Sequence, residues 1–287
     1  MAMYVVGDIH GCYSEFMQLV HKIEKQDDNA RFILIGDIID RGPEQLEMLD
    51  WAMQTVNKPD GKFQMILGNH EYEKIELIKS YLEQYENTGK AIWGHDRYGF
   101  HIVIQKAKLS VEKIRDIYQF ITTLPVYIQY ECKLGNHKQN YIMVHGDIPR
   151  YCIKKDETIR KSAFTKKSLF YYAWGGRSLI SDIVWERNLE GHPELSKTIV
   201  VHGHTPTLET SMYSYPGRIN YRPHDINVDC GITFRKFYPE ANLAAIRLED
   251  LQEFYLYEPA EEPLVSEGEK DYKTEMILRP KTENFFS

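Results

Sequence analysis

Short, uninterrupted apolar runs alternate with longer amphipathic ones along this chain. "MYVV" (3–6), "FILI" (32–35), "FQMIL" (63–67), "YIMV" (141–144) and "TIVV" (198–201) have strand length, are rich in β-branched residues and lack polar alternation. That pattern predicts strands inside a sheet covered on both faces. Between the first two runs, Phe16, Leu19, Val20 and Ile23 fall at helical spacing, and strand–helix–strand is the βαβ unit of an α/β protein. "PEQLEMLDWAMQTV" repeats the helix after the second strand, with Pro43 placed at its start. From Glu71 to about Pro125 helical periodicity dominates, with Ile75, Ile78 and Leu82 sharing one face. "VYIQYECKLGNHKQNYIMV" predicts a hairpin turning at Gly135-Asn136. Strands resume at 226–229, 242–248 and 252–258, after which the chain turns polar and acidic. Residues 1–258 therefore read as one domain and 259–287 as a polar surface tail.

Composition narrows the class without fixing it. The 287 residues are 43% apolar and 27% charged, ordinary for a soluble globular domain with ample core. Acidic residues outnumber basic ones 42 to 35, a net charge of -7, so binding to a nucleic-acid backbone by counterion release is not expected. No apolar run reaches membrane-spanning length, and Met3–Val6 is too short for a secretory h-region. Cys12, Cys132, Cys152 and Cys230 lie far apart with no CxxC pair; free thiols in a reducing cytoplasm are the expectation.

The residues directly after each buried run change the picture. The first run leads into "GDIHG" (Asp8, His10), the second into "GDIIDRG" (Asp37, Asp40, Arg41) and the third into "GNHE" (Asn69, His70, Glu71). The fourth is followed by "HGD" (His145) and the fifth by "HGHTP" (His202, His204). In an α/β sheet the ligand site lies beyond the carboxyl ends of the strands, so these tips can converge. Converging acids repel one another and are penalised by desolvation unless something positive sits between them. Mixed nitrogen and oxygen donors without thiolates suit Mn, Fe, Zn, Co or Ni. So many donors exceed one tetrahedral ion but suit two ions sharing a carboxylate, roughly 3.5–4 Å apart.

Taken together and in order, these motifs, which span Gly7 to Pro206, resemble the calcineurin-like metallophosphoesterases. The match is to the phosphoprotein phosphatase branch, including its bacterial and phage members and the symmetrical diadenosine tetraphosphate hydrolases. The resemblance implies a four-layer α/β/β/α sandwich of two mixed sheets flanked by helices. It implies two divalent metal ions, Mn foremost, with Asp8 and His10 on the first, Asp37 bridging, and Asn69, His145 and His204 on the second. His70 would be the general acid and Asp40 its orienting partner, since a nearby carboxylate stabilises an imidazolium. Arg41 would clamp phosphate oxygens, as would Arg187 in "DIVWERN", with Arg177 in "WGGR" the alternative. Asp229 in "NVDCG" resembles the family's Asp-x-Gly turn beside the pocket.

The implied activity is hydrolysis of phosphomonoesters by direct attack of a metal-bridging hydroxide. Phospho-Ser/Thr in a protein, or phospho-Tyr, is the leading substrate and a dinucleoside polyphosphate the alternative. Pro206 stands where nuclease-like relatives carry a second histidine, which argues against a phosphodiesterase. A non-catalytic binding module predicts lost ligands, and every ligand position is filled. His202 has no place in the scheme. Glu71 reads as a first-turn helix acid, Cys12 as a small buried residue, and His95 and His101 as packing or surface groups.

Overall fold

The computed structural model describes residues 1–164, 178–188, 190–208, 215–259 and 271–278. The chain opens as expected: β1 (Met3–Val6), α1 (Tyr13–Glu24), β2 (Arg31–Leu34), α2 (Gln45–Thr55) and β3 (Phe63–Met65). Three helices follow, α3 (Asn69–Thr88), α4 (Phe100–Lys106) and α5 (Val111–Thr123). Next come the hairpin β4 (Tyr127–Leu134) and β5 (His137–Val144), then α6 (Leu179–Trp185), β6 (Thr198–His202), β7 (Asn220–Arg222) and β8 (Asp225–Asn227). β9 (Ala244–Arg247), β10 (Gln252–Tyr255) and α7 (Tyr272–Leu278) close the described chain.

The ten strands form two five-stranded sheets, ordered β10-β9-β1-β2-β3 and β4-β5-β6-β8-β7. Each has a parallel core of three neighbours, β1-β2-β3 in one and β5-β6-β8 in the other, with antiparallel strands outside them. Period-two alternation sorts the side chains between layers. Tyr4, Val6, Phe32, Leu34 and Met65 pack with Phe16, Leu19 and Ile23 of α1 and with Ile78 and Ile117 of the later helices. Met3, Val5, Ile33 and Ile35 point the other way, into Tyr141, Met143, Ile199, Val201 and Ile226 of the second sheet. On the far side, Ile142, Val144 and Val200 meet Leu179 and Ile183 of α6. The result is the α/β/β/α sandwich, and a strand buried on both faces needs no polar alternation.

Three details depart from the sequence pattern. α2 begins at Gln45 rather than at Pro43, because the Gln45 side chain turns back to accept from Asp40 N (3.1 Å) and donate to Gly42 O (3.2 Å). β7, only three residues long and not β-rich, forms by pairing with β8. Within the polar segment after Pro259, Tyr272–Leu278 is helical and buries Met276 against the inter-sheet core.

Candidate active site

The parallel strands of both sheets deliver their tips to one place. Asp8 and His10 follow β1, Asp37, Asp40 and Arg41 follow β2, and Asn69 and His70 open α3 after β3. From the second sheet, His145 follows β5, His204 follows β6 and Asp229 follows β8. All of these except Arg41 are buried. Close approach is enforced by glycine: a Cβ at Gly203 would stand 2.1 Å from Asp8 Oδ1. Several of the functional side chains themselves sit on left-handed backbone, with φ of 46° at His10, 50° at Asp37, 66° at Asp40, 68° at Arg41 and 67° at His204. Such strain in non-glycine residues persists only where surrounding structure imposes it, and it clusters at functional sites.

Asp37 is the hub. Its Oδ1 accepts from His70 N at 2.9 Å. Its Oδ2 lies 3.3 Å from His145 Nε2, 3.5 Å from His10 Nε2 and 3.8 Å from His70 Nε2. Asn69 Oδ1 is 2.8 Å from both His145 Nε2 and His204 Nδ1. Two groups of donors each fall within 4.8 Å of one another, His10/Asp37/His70 and Asp37/His145/His204, and Asp37 belongs to both. Asp8 joins neither, since its carboxylate accepts from His204 N (3.2 Å) and stands 4.0 Å from His10 Nε2.

This donor set fits divalent cations. His10 Nδ1 and His145 Nδ1 face the carbonyls of Ile39 (2.8 Å) and Ile35 (2.9 Å), the outward hydrogen bond that orients metal-ligating imidazoles. With Nδ1 so placed, Nε2 of His145 turns inward onto the oxygens of Asp37 and Asn69, and Nε2 of His10 toward Asp37. A proton or a cation must lie between nitrogen and oxygen there, and a neutral ring leaves that place to a metal ion.

Protonation divides unevenly over the cluster. Burial, Asp229 and Asp37 push Asp8 well up, whereas at Asp37 the imidazoles of His145 and His70 overcome burial and hold the carboxyl low. Burial opposes charge on His145, but Asp37 and Asp8 drive it up to about 10. Burial and the His145 charge push His204 down to about 2, and burial lowers His10 well below its usual range. Burial raises Asp229 to about 6.

His70 is placed differently from the other imidazoles. Its Nδ1 lies 2.6 Å from Asp40 Oδ2, while Nε2 is buried with no hydrogen-bond partner. The guanidinium of Arg41 bonds His10 Nε2 and lies over the rings of Tyr98 (5.6 Å) and Phe234 (5.8 Å). Arg187 donates to Thr205 Oγ1 at 2.8 Å and is close enough for its charge to depress His204. Arg177 lies outside the described residues.

Some participants escaped the sequence. Glu71 does more than favour a helix dipole: its carboxylate accepts from the amides of Asp37 (2.8 Å), Ile38 (2.9 Å), Ile39 (3.3 Å) and Gly68 (3.1 Å), pinning the loop that carries Asp37. Burial and the Asp37 charge raise it to about 7. Lys74 and Asp96 stand behind Asp40, and the Tyr98 ring lies 4.2 Å from that of His70. Lys74 was findable, being one helical turn after His70 and on its face; Asp96 and Tyr98 arrive on a loop that no motif marks. Cys12 is a buried thiol pushed up to about 12 by burial.

The fold has counterparts among known proteins. The family model for calcineurin-like phosphoesterases matches residues 1–230, and the chain belongs to that family. It is a phosphoester hydrolase, and its family uses a dinuclear divalent metal site. The asymmetrical bis(5'-nucleosyl)-tetraphosphatase PrpE of Oceanobacillus iheyensis is 26% identical over 245 residues, 82% of this chain and 85% of the relative. The symmetrical bis(5'-nucleosyl)-tetraphosphatase of Chromobacterium violaceum is 35% identical over 81 residues, 28% of each chain. A protein serine/threonine phosphatase from Saccharomyces cerevisiae shares the fold at a TM-score of 0.51 and 14% identity, over 92% of this chain and 81% of that one. Among the described residues no helix is long and apolar enough to cross a membrane.

Proposed function

We propose that this chain uses two divalent ions, Mn foremost, to hydrolyse a phosphoanhydride of a dinucleoside polyphosphate. The supporting observation is the meeting of Asp37, Asn69, His145 and His204 around one point, beside a His70 Nε2 that has no other partner. Asp8, His10 and Asp37 would hold one ion; Asp37, Asn69, His145 and His204 would hold the other. The ions, when bound, would supply Lewis acidity to the phosphoryl oxygens and make an attacking water acidic.

The remaining work falls to side chains. Arg41 and Arg187 would bind phosphoryl oxygens, the first swinging from His10 to do so. His70 would give its Nε2 proton to the departing oxygen, while Asp40 keeps the ring turned toward it. The nucleotide substrate is favoured by the relative that matches over 82% of this chain, and by the aromatic faces of Tyr98 and Phe234 beside Arg41, which offer a surface on which a base can stack.

A phosphorylated Ser/Thr or Tyr side chain is the second reading. It rests on the order of the strand-end motifs. Mn-supplemented turnover of diadenosine tetraphosphate against phosphoserine, phosphothreonine and phosphotyrosine peptides separates the two. Preference for peptides would replace the first reading by the second, and turnover of none would sink both.

A further inference from the structure

Lys74 is a charged side chain in a place that ought to reject one. It is 1% exposed, and an ammonium taken out of water is penalised heavily unless it is paired. Its Nζ lies 3.0 Å from Asp40 Oδ2 and 3.0 Å from Asp96 Oδ1. Burial opposes its charge, and the two carboxylates outweigh burial and hold the ammonium above the ordinary lysine range. Asp96 is anchored independently: Oδ1 accepts from Tyr98 N (3.2 Å), and Oδ2 accepts from His101 N (2.8 Å) and faces His101 Nδ1 (3.1 Å). The lysine thus ties α3 to the 96–101 loop on one side and to the His70 partner on the other.

The Asp40 end is where this matters. Asp40 Oδ2 serves both His70 Nδ1 and Lys74 Nζ, while Oδ1 is buried with no hydrogen-bond partner. Both contacts fall on one oxygen, and the buried ammonium, approaching from a second direction, confines that oxygen in the position facing His70. Simple packing does not ask for this arrangement, because apolar side chains of similar volume often serve a buried ion pair's site as well or better.

We propose that Lys74, braced by Asp96, is a positioning residue for proton delivery: it fixes Asp40 behind His70 and so governs how much help a poor leaving group receives. The inference rests on His70 being the proton donor. A series of aryl phosphates tests it, from 2,4-dinitrophenyl phosphate, whose leaving group departs without a proton, to phenyl phosphate, whose leaving group needs one.

Lys74→Gln is expected to lose about 10- to 100-fold in kcat on phenyl phosphate and less than about threefold on the dinitrophenyl ester. Lys74→Arg, which keeps the charge, is expected to restore part of the phenyl phosphate rate. If the buried site does not tolerate Lys74→Gln, as thermal melting will show, Asp96→Asn decides: a smaller loss with the same dependence on leaving group supports the proposal. Equal losses on both esters, or none, overturn it. His70→Asn is the reference. If that variant shows no leaving-group dependence, the assignment of His70 fails instead.

Discussion

Two kinds of buried histidine–aspartate pair lie within this fold, and only one faces the converging ligands. At His70 the carboxylate of Asp40 takes Nδ1, and Nε2 is left without a partner, 3.8 Å from Asp37 Oδ2. At His202 and His192 both ring nitrogens are occupied. His202 Nε2 faces Asp225 (3.2 Å) and its Nδ1 faces Gly203 O (3.2 Å); His192 Nε2 faces Asp147 (2.9 Å) and its Nδ1 faces Glu194 (3.3 Å). A ring with both nitrogens spoken for holds chain segments together; a ring with one left over is free to turn that nitrogen toward a ligand. His202, which the motif scheme could not place, therefore belongs to the framework, where its pairing with Asp225 braces β6 against β8.

This contrast can be broken experimentally, and the largest expected effect is catalytic. His70→Ala should lower kcat by about 10²–10⁴-fold while the melting temperature changes little, read from initial rates and calorimetry. A variant that melts early and keeps its rate per folded molecule would put His70 among the framework pairs. His202→Ala should do the reverse, leaving Asp225 buried beside an absent partner at a cost on the order of 3–5 kcal/mol in chemical denaturation. A stable but inactive His202 variant would undo the distinction.

A smaller effect sharpens the comparison at His192. Burial opposes its charge, but Asp147, Asp225 and Glu194 hold it up to about 9. A raised folded value means that its contribution is fully present below the unfolded histidine range near 6.5 and drains away as pH rises through about 9. Stability should accordingly fall by on the order of 3 kcal/mol between pH 6 and pH 10. His192→Gln should flatten that part of the profile, and an unchanged slope would mean that another group carries it.

How much of this was visible in the letters obeys a physical division. Motifs at strand tips are local: glycine, then an acid or imidazole, directly after a buried run. The strand-tip residues could thus be singled out together, the family resemblance chose Asp8, His10, Asp37, Asn69, His145 and His204 among them, and these six do meet. The sheet cores were legible because burial on both faces erases alternation. The hidden part depends on contacts between distant segments. β7 exists only through β8, and Asp96 matters only because Lys74 reaches it. Asp147 and His192, 45 positions apart, are coupled by a loop that no periodicity describes. The Gln45 side chain delayed α2 through bonds to Asp40 and Gly42 that no propensity scale contains.

Five of the chain's strategic side chains stand on backbone of the wrong hand, each at an expense of about 1 kcal/mol relative to a residue without a Cβ. Arg41 alone among them is exposed, so glycine there would relax the backbone without stranding a buried partner, whereas glycine at Asp40 would orphan the Lys74 ammonium. A laboratory lineage screened for heat resistance alone should therefore drift toward glycine at position 41. Its hardiest descendants would be the ones that had surrendered that guanidinium.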